Sequence, residues 1–236
     1  MQITIFGGTG PSGKALIQET LRRNHTIVLF ARSPHKLDPE FRDSDRINVV
    51  QGTLDSYPSI LSSLRGSSCA LILLASTDGM PHWVGGTSSS LTITNAYRNI
   101  INAMSELGIK RLIGTGTPSH VEPLDGLNLA LFLGVSLLKV LLPKVYEDVV
   151  ETGKLLTSLG EGGVDGASKE ESDIDWTWIR VPNLYDGPSK QKYKLGYVGQ
   201  GGWFLLPRLS REELAKAILD EMYQGNWVKG IPFCCD

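Results

Sequence analysis

Short, unbroken apolar runs alternate with helical periodicity through the first half of the chain. Ile3–Phe6, Ile27–Ala31, Ile47–Val50, Leu71–Ala75 and Leu112–Thr115 are each bounded by turn-forming residues. Runs of this kind suit strands buried on both faces, which predicts a parallel sheet covered by helices. Between them, Ser12–Arg23 carries Ala15, Leu16 and Leu21 at helical spacing and stops at Asn24. Thr92–Leu107 carries Ile93, Ala96, Ile100, Ala103, Met104 and Leu107, and Gly108 follows as a left-handed stop. Repeated strand–helix alternation predicts an α/β fold, a doubly wound parallel sheet with right-handed crossovers.

The second half is less regular. A helix is expected over Val145–Leu159, after Pro143, and an exposed loop over the Gly-, Ser- and acid-rich stretch 160–172. Asp175–Arg180 restores strand character. Ser210 with Glu213 has the capping-box pattern and opens a helix to about Tyr223. The most apolar segment, Leu127–Leu142, is interrupted by Lys139 and diluted by Gly134 and Ser136. It falls short of the roughly 20 apolar residues a bilayer span needs, so a buried helix or a hydrophobic lid is expected. No repeat or linker divides the chain, and residues 1–236 read as one domain whose last third, from about 120, folds over the sheet edge.

Composition narrows the class. With 236 residues, 41% hydrophobic and 20% charged, the chain can bury a large core without staples. Its formal charge of -2 is spread along the chain, which argues against a dedicated nucleic-acid or membrane-surface binder. Cys69, Cys234 and Cys235 form no disulfide framework, and no Cys/His spacing suits zinc, so no metal is expected and the setting reads as reduced and cytoplasmic. The N-terminus reads as a strand and not as a signal peptide.

The candidate chemistry begins at Gly7-Gly-Thr-Gly-Pro-Ser-Gly13, between the first strand and the first helix. Gly7 suits a tight turn, Gly10 a close approach of backbone to a pyrophosphate, and Gly13 close helix packing. Backbone N–H groups of Thr9, Gly10, Pro11-Ser12 and Gly13 at the positive end of a helix would hold the phosphates, proline excepted, with the Ser12 hydroxyl as a further donor. After the second strand come Arg32 and Ser33 where an NAD site wants a carboxylate. Arg32 offers a planar fork suited to a ribose 2′-phosphate, which favours NADP(H), and Ser33 also reads as the N-cap of a short helix begun by Pro34.

These pieces, with Val50–Asp55, Lys110–Thr117, Asp175–Pro188 and Ser210–Ala215, resemble in order the atypical short-chain dehydrogenase/reductase group. That group includes NmrA-like regulators and the biliverdin/flavin-reductase type. The resemblance implies a Rossmann-like fold with a small C-terminal substrate-covering region. It places Thr53 and Leu54 at the adenine, and Ala75 and Ser76 at the adenine-side ribose or diphosphate. It places Thr115 and Thr117 beside the nicotinamide, and Pro182 and Asn183 at its carboxamide.

The wider superfamily usually protonates carbonyls through Tyr-x-x-x-Lys, and this chain has no such pair: Tyr146 is followed by Val150 at the lysine position. Thr117, Tyr146, Asp148 and His120 are the candidates for proton handling. Asp148 and Glu151 also read as solvated acids favoured by the helix dipole. His120 and, more weakly, His82 also read as loop bystanders. Leu127–Leu142, with Trp83, Trp203 and Phe204, reads as core or as the cover of a bulky apolar or aromatic substrate. The leading expectation is an NADPH-dependent reductase, as a monomer or homodimer with a small-molecule substrate. A non-enzymatic NADP(H)-binding regulator is the alternative, and an isomerase or cyclase on the same scaffold is a third.

Overall fold

The sheet is built where the apolar runs are. In the computed structural model, which describes residues 1–77, 80, 90–159, 173–188, 193–200 and 207–236, the first strands are β1 (Gln2–Phe6), β2 (Thr26–Ala31) and β3 (Ile47–Gln51). They are followed by β4 (Cys69–Ile72), β5 (Arg111–Gly116) and β6 (Asp175–Arg180). Three short strands, β7 (Asn183–Tyr185), β8 (Lys194–Gly196) and β9 (Arg208–Ser210), precede a last one, β10 (Phe233–Cys235). The main sheet has the order β3-β2-β1-β4-β5-β6-β10-β8, parallel throughout except for β8, which runs antiparallel to β10. β7 and β9 pair in a second, two-stranded sheet.

Helices cover both faces. On one, α1 (Pro11–Arg22) and α7 (Arg211–Gln224) enclose a core containing Ile3, Ile5, Leu16, Leu29, Ile113 and Ile218. On the other, α3 (Tyr57–Leu64), α4 (Thr92–Leu107) and α6 (Pro143–Ser158) enclose Phe6, Ile72, Tyr97, Ile100, Leu156 and Trp178. Two further elements are α2 (Pro39–Arg42) and α5 (Leu129–Leu141). This is the Rossmann-like arrangement, with its topological switch between β1 and β4, where successive crossovers leave in opposite directions and open a crevice.

The punctuation residues act as their chemistry dictates. Asn24 stops α1 at φ 62°, and Gly108 stops α4 at φ 67°. The Ser210 hydroxyl accepts from the Glu213 N–H at 3.1 Å and starts α7. Two expectations change. The fourth strand is Cys69–Ile72 and not Leu71–Ala75: the ladder runs out with β1, and Leu73 N–H closes it on the Phe6 carbonyl at 2.9 Å. Leu127–Leu142 does form a helix, α5, but no residue within the helix is buried. The segments 160–172 and 81–89, with His82 and Trp83, and residues Trp203 and Phe204 lie outside the described residues.

One buried carboxylate couples the elements of the second face. Asp148, on α6, is fully buried and takes the place of the cap that α4 lacks. Its oxygens accept from Ile93 N–H at 3.0 Å, Thr94 N–H at 2.9 Å and the Thr94 hydroxyl at 2.9 Å. The charge sits at the positive end of the α4 dipole, which offsets its removal from water. Replacing it with alanine strands two buried N–H groups. Asp148→Ala is therefore expected to destabilise the fold by about 3 kcal/mol, read as a lower denaturant midpoint at unchanged slope.

Candidate functional site

Parallel strands deliver their carboxyl ends to one edge, and that edge collects the residues singled out from sequence. Gly7–Gly13 follow β1, Arg32 and Ser33 follow β2, and Thr53 and Leu54 follow β3. Ala75 and Ser76 lie past β4, Thr115 and Thr117 at the end of β5, and Pro182 and Asn183 after β6. Within this row Thr53, Ala75 and Asn183 are exposed, while Pro182 is buried. Leu54 packs half-buried against the core, its carbonyl accepting from Asn99 Nδ2 at 3.0 Å. Thr115 reaches back across the sheet, its hydroxyl 3.5 Å from the Ile72 carbonyl.

The glycine-rich turn is shaped by lack of room. Gly7 has φ 94°, and a Cβ there would lie 2.3 Å from the Leu73 carbonyl oxygen. A Cβ on Gly13 would lie 2.3 Å from the Gly7 carbonyl oxygen and 2.5 Å from Gly8 Cα. Gly10 differs: its Cβ direction meets only the Gly7 carbonyl oxygen, at 4.0 Å, so the space over it is open to a ligand. Gly10 is also the N-cap of α1, and no side chain caps that helix. Pro11 at N1 removes one of the orphan donors, and the amides of Ser12 and Gly13 remain at the positive helix end. That geometry fits a diphosphate.

Arg32 is exposed directly after β2, with no ion pair among the described residues. Ser33 is the N-cap of a single 3₁₀ turn, Pro34–Lys36, and makes no side-chain capping bond there. The acid of this neighbourhood, Asp38, is engaged by Lys14 at 2.9 Å. An exposed guanidinium at this place, with no carboxylate partner among the described residues, fits an additional phosphate.

Beyond β5 the chain walls a second space. A cleft of about 320 Å³ is lined by Pro118, Val121, Asp125, Gly126, Leu127, Asn128, Leu131, Phe132, Val135 and Val198. Its wall is held by Arg180, at the end of β6 and fully buried. Arg180 grips Asp125 through both guanidinium nitrogens, donates to the His120 carbonyl at 3.1 Å, and donates through Nε to the Ile231 carbonyl at 3.1 Å. Asp125 also accepts from the N–H groups of Glu122 and Val198. Burial works against ionisation of Asp125, but the guanidinium and these donors outweigh it and hold the carboxyl below its ordinary range.

The proton-handling candidates sit near this loop in different states. The Thr117 hydroxyl donates to Ser119 Oγ at 2.9 Å. His120 is nearly buried between β6 and α6: its ring lies edge-on to Trp178, and its Nε2 is 3.5 Å from Glu122. It bonds the Val150 carbonyl, and Gly153 leaves it room, since a Cβ there would come within 2.4 Å of Nδ1. Burial, then the nearby Arg180, push His120 below its ordinary pKa, and burial raises that of Glu122. Tyr146, one turn before Val150 on α6, is half-buried with Lys139 5.5 Å from its ring centre. Asp148 is neither a solvated acid nor turned towards the cleft, because its oxygens are taken by the start of α4. Glu151 pairs with Lys154 at 2.7 Å.

Arg180, Asp125 and Glu122 were not among the residues singled out from sequence. Arg180 lies in plain view inside Trp-Ile-Arg-Val-Pro, where an arginine among apolar neighbours calls for a buried partner. Its acid is 55 residues away, in a loop that no periodicity marks.

Known proteins agree with this geometry. Among curated proteins, the chain is 28% identical over 112 residues to oxidoreductase aflX of Aspergillus parasiticus, covering 46% of this chain and 41% of that protein. It is 27% identical over 164 residues to oxidoreductase nsrR of Aspergillus novofumigatus, covering 64% of this chain and 58% of that protein. The chain thus spans about half the length of these curated relatives. In fold it is similar to a short-chain dehydrogenase/reductase from Veillonella parvula solved in complex with NADP, at TM-score 0.72 and 18% identity over 100% of this chain and 94% of that one. It is also similar to ChuY, an anaerobillin reductase from Escherichia coli O157:H7, at TM-score 0.66 and 15% identity over 100% and 97%. The family model for NAD(P)H-binding proteins matches residues 7–131, from the glycine-rich turn into α5, and with the diphosphate-shaped turn at its start the chain belongs to that NAD(P)H-binding family.

Proposed function

We propose that this protein is an NADPH-dependent reductase of a bulky apolar or aromatic small molecule. The observation that carries the reading is the uncapped α1 N-terminus under the open face of Gly10, with Arg32, exposed and without an ion pair among the described residues, one strand away. Similarity to proteins named oxidoreductases supports the reaction class, and the apolar cleft beyond β5 supports the kind of substrate.

In this reading the Ser12 and Gly13 amides bind the diphosphate, and Arg32 with Ser33 binds the 2′-phosphate. Thr53 and Leu54 flank the adenine, and Ala75 and Ser76 the adjoining ribose or diphosphate. Thr115, Thr117, Pro182 and Asn183 border the nicotinamide. The reduced nicotinamide, when bound, supplies a hydride. The chain's own part is to orient the substrate against the edge of β5 and to exclude water with the apolar wall of the cleft. The Thr117 hydroxyl, Tyr146 and His120 are the groups available to pass a proton; Asp148 instead anchors α4.

A second reading, an NADP(H)-binding regulator without turnover, is favoured by one observation: Val150 stands where the superfamily's relay lysine would be. The two readings differ in an assay. The reductase oxidises NADPH in the presence of at least one member of a panel of quinones, flavins and enones, followed at the nicotinamide absorbance. NADPH binding with no oxidation across the panel selects the regulator.

Coenzyme choice is tested by calorimetry. Arg32→Glu is expected to weaken NADPH at least about tenfold, the loss of one charge-assisted contact, and to leave NADH within about twofold. Equal losses for both coenzymes place the arginine elsewhere.

His120 also carries a pH signature. Its pKa is depressed in the folded state, so the unfolded chain binds the extra proton more readily. Its stabilising contribution is present above the unfolded value of about 6.5 and is lost as pH falls through the folded one. Denaturant midpoints are therefore expected to drop below about pH 6.5, and His120→Gln to flatten part of that slope. His25, depressed by burial and by the N-terminal charge, retains the remainder.

A further inference from the structure

A helix on a protein surface ordinarily turns its polar side outward. α5 does the reverse. Its inward side, Leu131, Val135 and Leu138, is only half-buried. Its outward side carries Leu129, Leu133, Leu137, Val140 and Leu141, which are 58 to 75% exposed. Single exposed leucines are common on proteins, but a contiguous face of them marks a contact surface.

We propose that this face docks on an anionic lipid surface, with α5 lying in the plane of the interface. Its 13 residues extend roughly 20 Å, against a hydrocarbon core of about 30 Å, so it is too short to cross. No single helix among the described residues is long and apolar enough to do so. The chain bends by 117° between α5 and α6, and α6 leads back into the protein, where Asp148 and Leu156 are buried.

Two observations favour lipid over a second copy of the chain. The first is charge. α5 carries a single charged residue, Lys139, and no acid. In a two-fold contact α5 would meet its own copy, so Lys139 would face a helix that carries no counter-charge. A phosphate-bearing lipid surface supplies one, and Lys139 stays exposed on the flank of the leucine face even with Tyr146 beside it. The even charge balance of the whole chain conceals this local bias. The second is continuity with the cleft. Leu127 and Phe132 line the cleft and are themselves 85% and 60% exposed, so cleft and leucine face form one apolar surface. A protein partner seated there would close the mouth of the cleft, whereas a lipid surface leaves it open to molecules dissolved among the acyl chains.

The docking stands or falls independently of the reductase reading. Its test is flotation of the full chain with vesicles of phosphatidylcholine alone and of phosphatidylcholine with phosphatidylglycerol in equal parts; vesicles rise and aggregates sink. The expected result is flotation with the anionic vesicles, weakened as salt rises. Leu133→Glu/Leu137→Glu, both outside the cleft lining, is expected to lower it at least tenfold. Lys139→Glu is expected to lower it about fivefold or more, since each lysine near such a surface contributes about that factor. Circular dichroism melting verifies that the variants fold, and the salt dependence of the unaltered protein tests the electrostatic part should one of them not. The proposal is overturned if the protein stays with neither vesicle, or if the double variant floats equally well. It is also overturned if sedimentation velocity reveals a dimer that the double variant dissociates while vesicles bind nothing.

Discussion

Everything on the coenzyme side depends on how closely the first helix lies against the turn that precedes it. The backbone of Gly7 and Gly8 occupies the space where a side chain on Gly13 would go, and Leu73 closes over Gly7 from the neighbouring strand. Any side chain at Gly13 would lift α1 from the end of β1. Because nothing intervenes, the first amides of α1 point into the crevice opened by the reversal of strand order between β1 and β4. Packing and electrostatics are here the same constraint, since the contact that docks the helix also aims its dipole.

The cleft beyond β5 is organised by charge. Arg180 ends β6 in a fully buried position and meets Asp125, the carbonyls of His120 and Ile231, and through Asp125 the amides of Glu122 and Val198. A buried guanidinium is tolerable only when its donors are satisfied, so the loop that carries Thr117 and His120 is obliged to close on it. On the opposite side of α6, Asp148 ties that helix to the start of α4. Two buried carboxylates thus hold the framework around the cleft, and neither is left free for proton transfer. Outside this frame α5 has only a half-buried inner side, which leaves its leucines outward.

Local signals were legible wherever chain neighbours decide the outcome. Thr92–Leu107 with its Gly108 stop, the Asn24 stop and the Ser210 cap all follow from periodicity and terminal chemistry, and the structure has them at those residues. The fourth strand starts two residues before the expected run and ends three before its end, because its last pairing is set by where β1 stops, a neighbour in the sheet and not in sequence. Asp148 was misread for a similar reason: in isolation it is an acid on the outer turns of a helix, and only α4, 55 residues away, makes it a buried cap.

Sequence alone determined the strand–helix order, the glycine-rich turn and the arginine after β2, because each depends on backbone allowance or on residues within a few positions. Tertiary structure decided which charges are buried and with whom, where the cleft opens, and that the leucine face of α5 is left outward. Those outcomes depend on contacts between distant segments: an apolar helix reads the same in sequence whether another layer covers it or not.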